Sequence, residues 1–120
     1  MKKNTLVVGA SLNPTRYSNI AIKRLIDKGI KTVAIGLRKG KVLDTIIEKE
    51  KVLFKNIDTV TLYLNAERQK EYYEYIISLQ PKRVIFNPGT ENNEFYKILK
   101  ENKIQSEVAC TLVLLSTNQY

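Results

Sequence analysis

Short apolar runs alternate along the chain with segments whose apolar residues recur every three or four positions. Four of the runs predict β-strands, near residues 5–10, 31–36, 58–64 and 83–86, and a fifth strand is expected near residues 106–109. Runs of this length with little polar alternation are typical of strands that are buried on both faces of a parallel sheet. The first strand, helix and second strand fit within about thirty residues, the length of a βαβ unit with two parallel strands.

The segments between the runs predict helices with recognisable ends. Ser18 is the expected N-cap of the first helix and Gly29 its end, whereas Asn65 would cap a second helix that stops at Pro81. A third helix is expected from about Glu91. The inward-facing residues are predicted to be Ile22, Leu25 and Ile26, then Ala66, Tyr73, Ile76 and Ile77, and finally Phe95, Ile98 and Leu99.

This alternation predicts an α/β fold: a Rossmann-like, doubly wound, parallel five-stranded sheet with helices on both faces. We expect one domain over residues 1–120, since the length and the absence of a linker both favour it. The segment 41–55 reads as a helical turn and a connector. The structure of the tail after residue 111 stays open.

Composition narrows the possible chemistry. The chain has no His and one Cys, Cys110, so an internal disulfide or a zinc site is not expected. The apolar run after Met1 is too short for a signal peptide and no run reaches membrane length, so we expect a cytoplasmic protein. The net charge of +8 fits either an anionic partner or a lysine-rich surface.

Ligands of doubly wound sheets bind beyond the carboxyl ends of the strands. This rule selects residues 9–18, 36–41, 63–65 and 87–92, all of them polar or glycine-bearing. The first of these loops precedes a helix N-terminus, which favours a phosphate. It contains neither G-x-G-x-x-G nor G-x-x-x-x-G-K-[ST], so neither a dinucleotide fingerprint nor a P-loop is indicated. A merely structural capped turn is the alternative reading.

The turn after the second strand carries Arg38, Lys39 and Lys41. NAD enzymes usually place an acid there for the ribose hydroxyl, whereas cations suit a ribose phosphate. Both coenzyme A and NADP carry such a phosphate. A solvated basic turn remains the alternative, and so does a turn in which only one of the three cations binds.

Four stretches, in this order, resemble the family of small coenzyme A-binding proteins, whose domain is similar to the nucleotide-binding domain of succinyl-CoA synthetase. They are Val8-Gly9-Ala10-Ser11 with Asn13-Pro14 and Ser18, residues 36–43, residues 87–92, and Ala109-Cys110-Thr111. The resemblance implies a coenzyme A site in which the first loop meets the phosphate and ribose, a basic residue after strand two meets the 3′-phosphate, and residues 87–91 lie near the pantetheine.

The family usually shows Asn-Pro-Lys-Gly after strand two and Phe-Arg after strand three, where this chain has residues 36–39 and 63–65 instead. Cys110 matches a frequent family Cys and is expected to act as a small buried hydrophobe. Residues of the predicted ligand site are Gly9, Ala10, Ser11, Asn13, Pro14, Arg16, Ser18, Gly36, Arg38, Lys39, Lys41, Tyr63, Asn65, Asn87, Pro88, Gly89 and Glu91.

The sequence favours a coenzyme A or acyl-CoA binding module, such as a carrier, sensor or partner subunit, over an enzyme. Without His there is no Ser-His or Cys-His pair. An NADP-type redox protein or sensor is the alternative. A nucleic-acid role is disfavoured, because Tyr73 is expected in the core and Tyr72 and Tyr75 on the surface, and no nucleic-acid motif is present. A homodimer is permitted but not required.

Overall fold

The computed structural model describes residues 3–120 and contains a mixed α/β, Rossmann-like sheet with helices. The strands are β1 (Thr5–Ala10), β2 (Thr32–Gly36), β3 (Gly40–Val42), β4 (Thr45–Glu48), β5 (Thr59–Leu62), β6 (Arg83–Phe86) and β7 (Gln105–Val108). Their spatial order is β3-β4-β2-β1-β5-β6-β7, and every neighbouring pair is parallel except β3 with β4.

The prediction of five parallel strands was incomplete, because the sheet has seven strands and one of them is antiparallel. The two additional strands form a hairpin, β3–β4, in the segment that was expected to hold a helical turn. Leu43 lies in the hairpin turn with a φ of 53°. Glycine or asparagine normally marks this conformation, so a Leu-Asp turn gives no recognisable hairpin signal.

Helices cover both faces of the sheet. On one face, Ile22 and Leu25 of the first helix and Leu115 of the last pack with Val7 and Ile47. On the other, Tyr72, Tyr75 and Ile76 pack with Phe95 and Leu99 around β1, β5 and β6. The helices are α1 (Tyr17–Asp27), α2 (Ala66–Gln69), α3 (Tyr73–Leu79), α4 (Asn93–Glu101) and α5 (Thr111–Ser116), with a 3₁₀ turn, Lys70–Tyr72, between α2 and α3.

Asn65 caps α2 as predicted, since its side chain accepts a hydrogen bond from the Arg68 N–H. The predicted cap at Ser18 was wrong: α1 begins at Tyr17, and Ser18 is a buried residue of its first turn. The third predicted helix, α4, starts at Asn93 rather than Glu91 and is capped by Asn92, which accepts from the Phe95 N–H.

The expected surface positions of Tyr72 and Tyr75 were wrong, because both are buried. Tyr73, expected in the core, is half-buried and packs against the core on Phe95. The 3₁₀ turn that ends at Tyr72 explains the error, because it advances the chain by three residues per turn and shifts the phase of the following helix. Across residues 3–120, no helix combines the length and apolar character that crossing a membrane requires.

Candidate functional site

A cleft of about 800 Å³ opens at the carboxyl ends of β1, β2, β5 and β6. These strands lie side by side in the order β2-β1-β5-β6. The chain continues from β1 to β2 on one side and later returns to β5 on the other side of β1, so the strand order reverses at β1. This is the position at which doubly wound sheets bind ligands. The residues that line it are Gly9, Ala10, Ser11, Leu12, Asn13, Arg16, Tyr17, Ser18, Gly36, Leu37, Arg38, Tyr63, Leu64, Asn65, Arg68, Glu71, Tyr72, Pro88, Gly89 and Thr90.

Two glycines shape the floor of the cleft. Gly9 has a φ of +90°, a conformation that L side chains rarely adopt, and it lies where the pairing of β1 with β2 becomes irregular, between Val8 and Ala10. Gly36 lies where the ends of β1 and β2 meet, and a Cβ there would stand 2.3 Å from the Ala10 carbonyl oxygen. Glycine is therefore needed at both positions, because a side chain could not be accommodated without moving the neighbouring atoms.

The six residues 11–16 between β1 and α1 form a turn that the Asn13 side chain organises. Asn13 Oδ1 accepts from the Thr15 N–H at 3.0 Å and from the Thr15 hydroxyl at 2.8 Å. The Asn13 N–H in turn donates to Ser11 Oγ at 3.1 Å. The turn presents Ser11 and Asn13 to the cleft, while Pro14 lies outside its lining.

The beginning of α1 faces this loop without a side-chain cap. Arg16 occupies the N-cap position with extended backbone and makes no capping hydrogen bond, and the first turn carries no acid. The N–H groups of this turn therefore keep the partial positive charge that attracts an anion. Asn19 anchors the loop from below: its Nδ2 donates to the Ser11 carbonyl at 2.9 Å, and its buried Oδ1 has no partner among residues 3–120.

Three exposed arginines line the cleft, each from a different connection. Arg38 follows β2, Arg16 follows β1, and Arg68 lies in α2, which follows β5. These three strands are adjacent, so the connections span roughly 10 Å. None of these guanidinium groups forms an ion pair with a carboxylate within the described part of the chain. Glu71 is the one acid among the lining residues, so the lining carries a net positive charge.

The three cations predicted after β2, Arg38, Lys39 and Lys41, do not lie together in the structure. Only Arg38 of the three predicted cations lines the cleft. Lys39 Nζ lies 3.7 Å from Glu48 Oε1, so its charge is directed to β4, and Lys41 is an exposed residue of the edge strand β3. The β3–β4 hairpin draws these two lysines away from the cleft.

A network of buried amides holds the opposite side of the cleft. Gln69 is fully buried, and its Nε2 donates to the carbonyls of Leu64 and Thr90, both at 2.8 Å. Asn92 Nδ2 donates to Gln69 Oε1 at 2.8 Å and also to the Tyr73 hydroxyl. Gln69 therefore joins the loops after β5 and β6, both of which line the cleft.

Asn87 lies below the lining rather than in it. Its Nδ2 donates to the Thr61 hydroxyl and the Leu62 carbonyl, and its Oδ1 accepts from the Thr111 N–H. Pro88 and Gly89 do line the cleft, whereas Glu91 lies outside it and accepts a hydrogen bond from the Gly89 N–H at 2.9 Å. Asn87 and Glu91 are thus placed to shape the loop rather than to touch a molecule in the cleft.

Tyr63 lies at the end of β5, half-buried between the cleft and the residues below it. Burial raises the pKa of Tyr63 to about 12, although hydrogen bonds with Thr111 and Thr61 act in the opposite direction. The phenol therefore stays neutral at physiological pH. Cys110 is a free, half-buried thiol at the N-cap of α5, more exposed than the fully buried role that was expected of it.

Three cleft residues, Arg68, Glu71 and Tyr72, lie outside the segments that the sequence selected. Five others lie within those segments but were not named as site residues: Leu12, Tyr17, Leu37, Leu64 and Thr90. Arg68 had one usable signal, because it lies in the first helical turn after the Asn65 cap. The side chains of Leu12, Tyr17 and Leu37 are 41%, 71% and 63% exposed. From sequence alone, such apolar residues are expected in the core. No cluster of His, Cys, Asp and Glu within residues 3–120 could hold a metal ion.

Solved structures similar to this one cover nearly the whole chain. The crystal structure of an uncharacterized protein is 46% identical with a TM-score of 0.97, covering 100% of this chain and 99% of that one. A hypothetical protein from Pyrococcus horikoshii is 28% identical with a TM-score of 0.86, covering 97% and 83%. A protein from Thermus thermophilus, 20% identical, shows the same fold with a TM-score of 0.87, covering 99% and 91%.

No curated protein matches the chain. The sequence model of the CoA binding domain family matches residues 3–116, which is nearly the full length. That match agrees with the resemblance of the four sequence stretches and with a cleft placed at the reversal of strand order. The chain belongs to the CoA binding domain family.

Proposed function

We propose that the cleft binds coenzyme A or an acyl-CoA and that the protein acts as a binding module rather than an enzyme. The observation that carries the proposal is the convergence of Arg16, Arg38 and Arg68, free of carboxylate partners within residues 3–120, on one cleft beside an uncapped helix start. Coenzyme A carries a diphosphate and a ribose 3′-phosphate. A cleft with three separated guanidinium groups suits such a polyanion.

The order of the connections suggests how the ligand would lie. The diphosphate fits the crevice between β1 and β5, where Arg16, Arg68 and the first turn of α1 supply donors. The 3′-phosphate then lies toward Arg38, one strand further along the sheet. The pantetheine would run the other way, over Pro88, Gly89 and Thr90. At that end no His is present, and Tyr63 is held neutral, so the proposal includes no acid–base chemistry.

NADP is the second candidate, because its ribose 2′-phosphate would also suit Arg38. The length of the loop between β1 and α1 argues against NADP. Dinucleotide enzymes bring a glycine-rich turn and a helix start directly against the pyrophosphate, whereas here six residues separate β1 from α1. Such a loop leaves room for a more strongly bent ligand.

Isothermal titration calorimetry tests the proposal with coenzyme A, dephospho-coenzyme A, NADP and NAD. We expect coenzyme A to bind most tightly and dephospho-coenzyme A about tenfold more weakly, because one charge-assisted contact is lost. Arg38→Ala should bring the two affinities together. Lys39→Ala and Lys41→Ala, from the same turn, are matched controls that should preserve the difference. If NADP binds more tightly than coenzyme A, or if neither binds, the proposal is overturned.

A further inference from the structure

The two edges of the sheet differ in how far they are protected from another strand. Natural edge strands are blunted by short length, glycine or proline, or a lysine on the strand itself. The edge strand β3 has three residues, with Gly40 and the exposed Lys41 among them. The other edge strand, β7, is also short, with the four residues Gln-Ser-Glu-Val, but it has no lysine, glycine or proline. Its Glu107 side chain is turned to Arg83 at 2.9 Å on the same sheet.

The pairing with β6 shows which backbone groups of β7 are free. Residues 105 and 109 donate their N–H groups to the carbonyls of Lys82 and Phe86. In a parallel ladder only alternate residues of a strand bond to one neighbour. The N–H and C=O groups of Ser106 and Val108 therefore point away from β6, where the described residues place no strand. Two residues at this edge can thus pair with an added strand.

A groove of about 640 Å³ runs beside this edge, between β7 and α4. Its apolar surface comes from Tyr96, Ile104 and Val108, and the Val108 side chain is 60% exposed. Two lysines, Lys100 and Lys103, line the same groove and make no ion pair within residues 3–120. No acid is among the lining residues, so the groove is apolar with a positive rim.

We propose that β7 accepts an extended acidic segment of another protein as an additional strand. The backbone of that segment would pair with Ser106 and Val108, a mode in which main-chain hydrogen bonds give affinity and side-chain pockets give specificity. Side chains two positions apart share one face of a strand. An apolar residue flanked two positions away by acids would then place its apolar group on Val108 and its carboxylates near Lys100 and Lys103.

A second copy of this chain fits the same edge less well. Two-fold pairing of β7 with itself sets identical grooves against each other, and each brings Lys100 and Lys103 without an acid in the lining. Like charges across such a junction are unfavourable. Charge complementarity therefore selects an acidic partner rather than self-association.

Fluorescence anisotropy with a labelled hexapeptide, two valines between two pairs of glutamates, tests this proposal on the full chain. In an extended strand, each of the two faces of this peptide presents an acid, an apolar residue and a second acid. We expect saturable binding that weakens with added salt. A hexapeptide with lysines in place of the glutamates should bind at least about tenfold more weakly. Failure of the glutamate peptide to bind, or equal binding by both peptides, would overturn the proposal.

Variants separate the two parts of the surface. The double change Lys100→Glu and Lys103→Glu should weaken peptide binding by about tenfold or more. The same change of net charge at Lys23 and Lys31, exposed residues elsewhere, should leave the peptide affinity within about twofold of the native value.

Val108→Pro removes one outward N–H and should reduce binding about tenfold if the strand is added there. Thermal melting checks that each variant is folded. A dimer in size-exclusion chromatography that Val108→Pro abolishes would instead favour self-association and contradict the proposal.

Discussion

The two walls of the cleft are built in different ways. The β1–β2 wall (residues 9–18 and 36–38) consists of exposed turns, with Arg16 and Arg38 directed to the cleft and apolar side chains open to solvent. The β5–β6 wall (residues 63–72 and 88–90) rests on the buried amides of Gln69, Asn87 and Asn92. The exposed wall can change its contacts with a ligand at little cost in stability. The buried wall cannot, because its polar groups have no water to replace a lost partner.

The largest expected effect is the loss of Asn87. Asn87→Leu leaves the Leu62 carbonyl, the Thr111 N–H and the Thr61 hydroxyl each short of a partner in the interior. We expect the free energy of unfolding to fall by roughly 3 kcal/mol or more. Chemical denaturation measures it, with the exposed Asn93→Leu as the control that should change it by less than about 0.5 kcal/mol. Equal effects of the two substitutions would contradict the distinction between the walls.

Gln69→Leu should reduce stability by roughly 2 kcal/mol, since it frees the carbonyls of Leu64 and Thr90. Because these loops both line the cleft, coenzyme A affinity should fall as well. Calorimetry on the folded variant at low temperature measures the second effect apart from the first. A variant that is destabilised but binds coenzyme A as the native protein does would show that Gln69 does not shape the cleft.

Gly36→Ala tests the rigid part of the β1–β2 wall. The added Cβ would stand 2.3 Å from a backbone carbonyl, so the ends of β1 and β2 must separate. We expect a loss of roughly 1–3 kcal/mol in the free energy of unfolding. Gly40→Ala is the matched control: its Cβ would stand 2.6 Å from the end of the Leu12 side chain, which is exposed and has room to change rotamer. A larger loss from Gly40→Ala would show that the hairpin, and not the strand ends, is the tightly packed part.

Arg16→Ala and Arg68→Ala come from opposite walls and test whether the charge acts across the crevice. Each should weaken coenzyme A binding about tenfold, equal to about 1.4 kcal/mol, without lowering the melting temperature, because neither arginine has an ion pair to lose within residues 3–120. Arg24→Ala, an exposed change on α1, is the control for net charge. If only Arg16→Ala weakens binding, the phosphates lie on the β1–β2 wall alone.

The effect that is smallest at neutral pH is that of Tyr63 ionisation, which lowers stability only in alkaline solution. Its folded-state pKa of about 12 lies above the ordinary 10.0 because the phenol is buried. Between these values the unfolded chain releases this proton and the folded chain retains it, so stability falls as pH rises through that window. Tyr63→Phe removes this component. Denaturation at pH 9 to pH 12 should show the gap between variant and native protein narrowing; a constant gap would contradict the assigned pKa.

Much of the fold followed from the sequence because β1, β2, β5 and β6 are largely apolar runs bounded by turn residues, and helical patterns alternate with them. The hairpin did not follow, because Leu43 adopts a positive φ without a glycine or asparagine to signal it. Because the hairpin was not predicted, Lys39 and Lys41 were expected at the ligand site, whereas the hairpin places them away from the cleft. The position of the loop 11–16 at the cleft was predictable from the strand–loop–helix order. For Arg68 the sequence offered only its position in the first turn after the Asn65 cap, because the placement of α2 at the cleft depends on β5 lying beside β1.

The alternation of backbone groups along β7 would be visible in solvent exchange. The N–H groups of Glu107 and Ala109 are directed to β6, whereas those of Ser106 and Val108 face outward. Amide deuteration should therefore proceed in a two-residue rhythm at this edge, fast at one position and slow at the next. On a central strand such as β1, paired on both sides, no such rhythm is expected. Slowing at Ser106 and Val108 alone would report an added strand before its sequence was known.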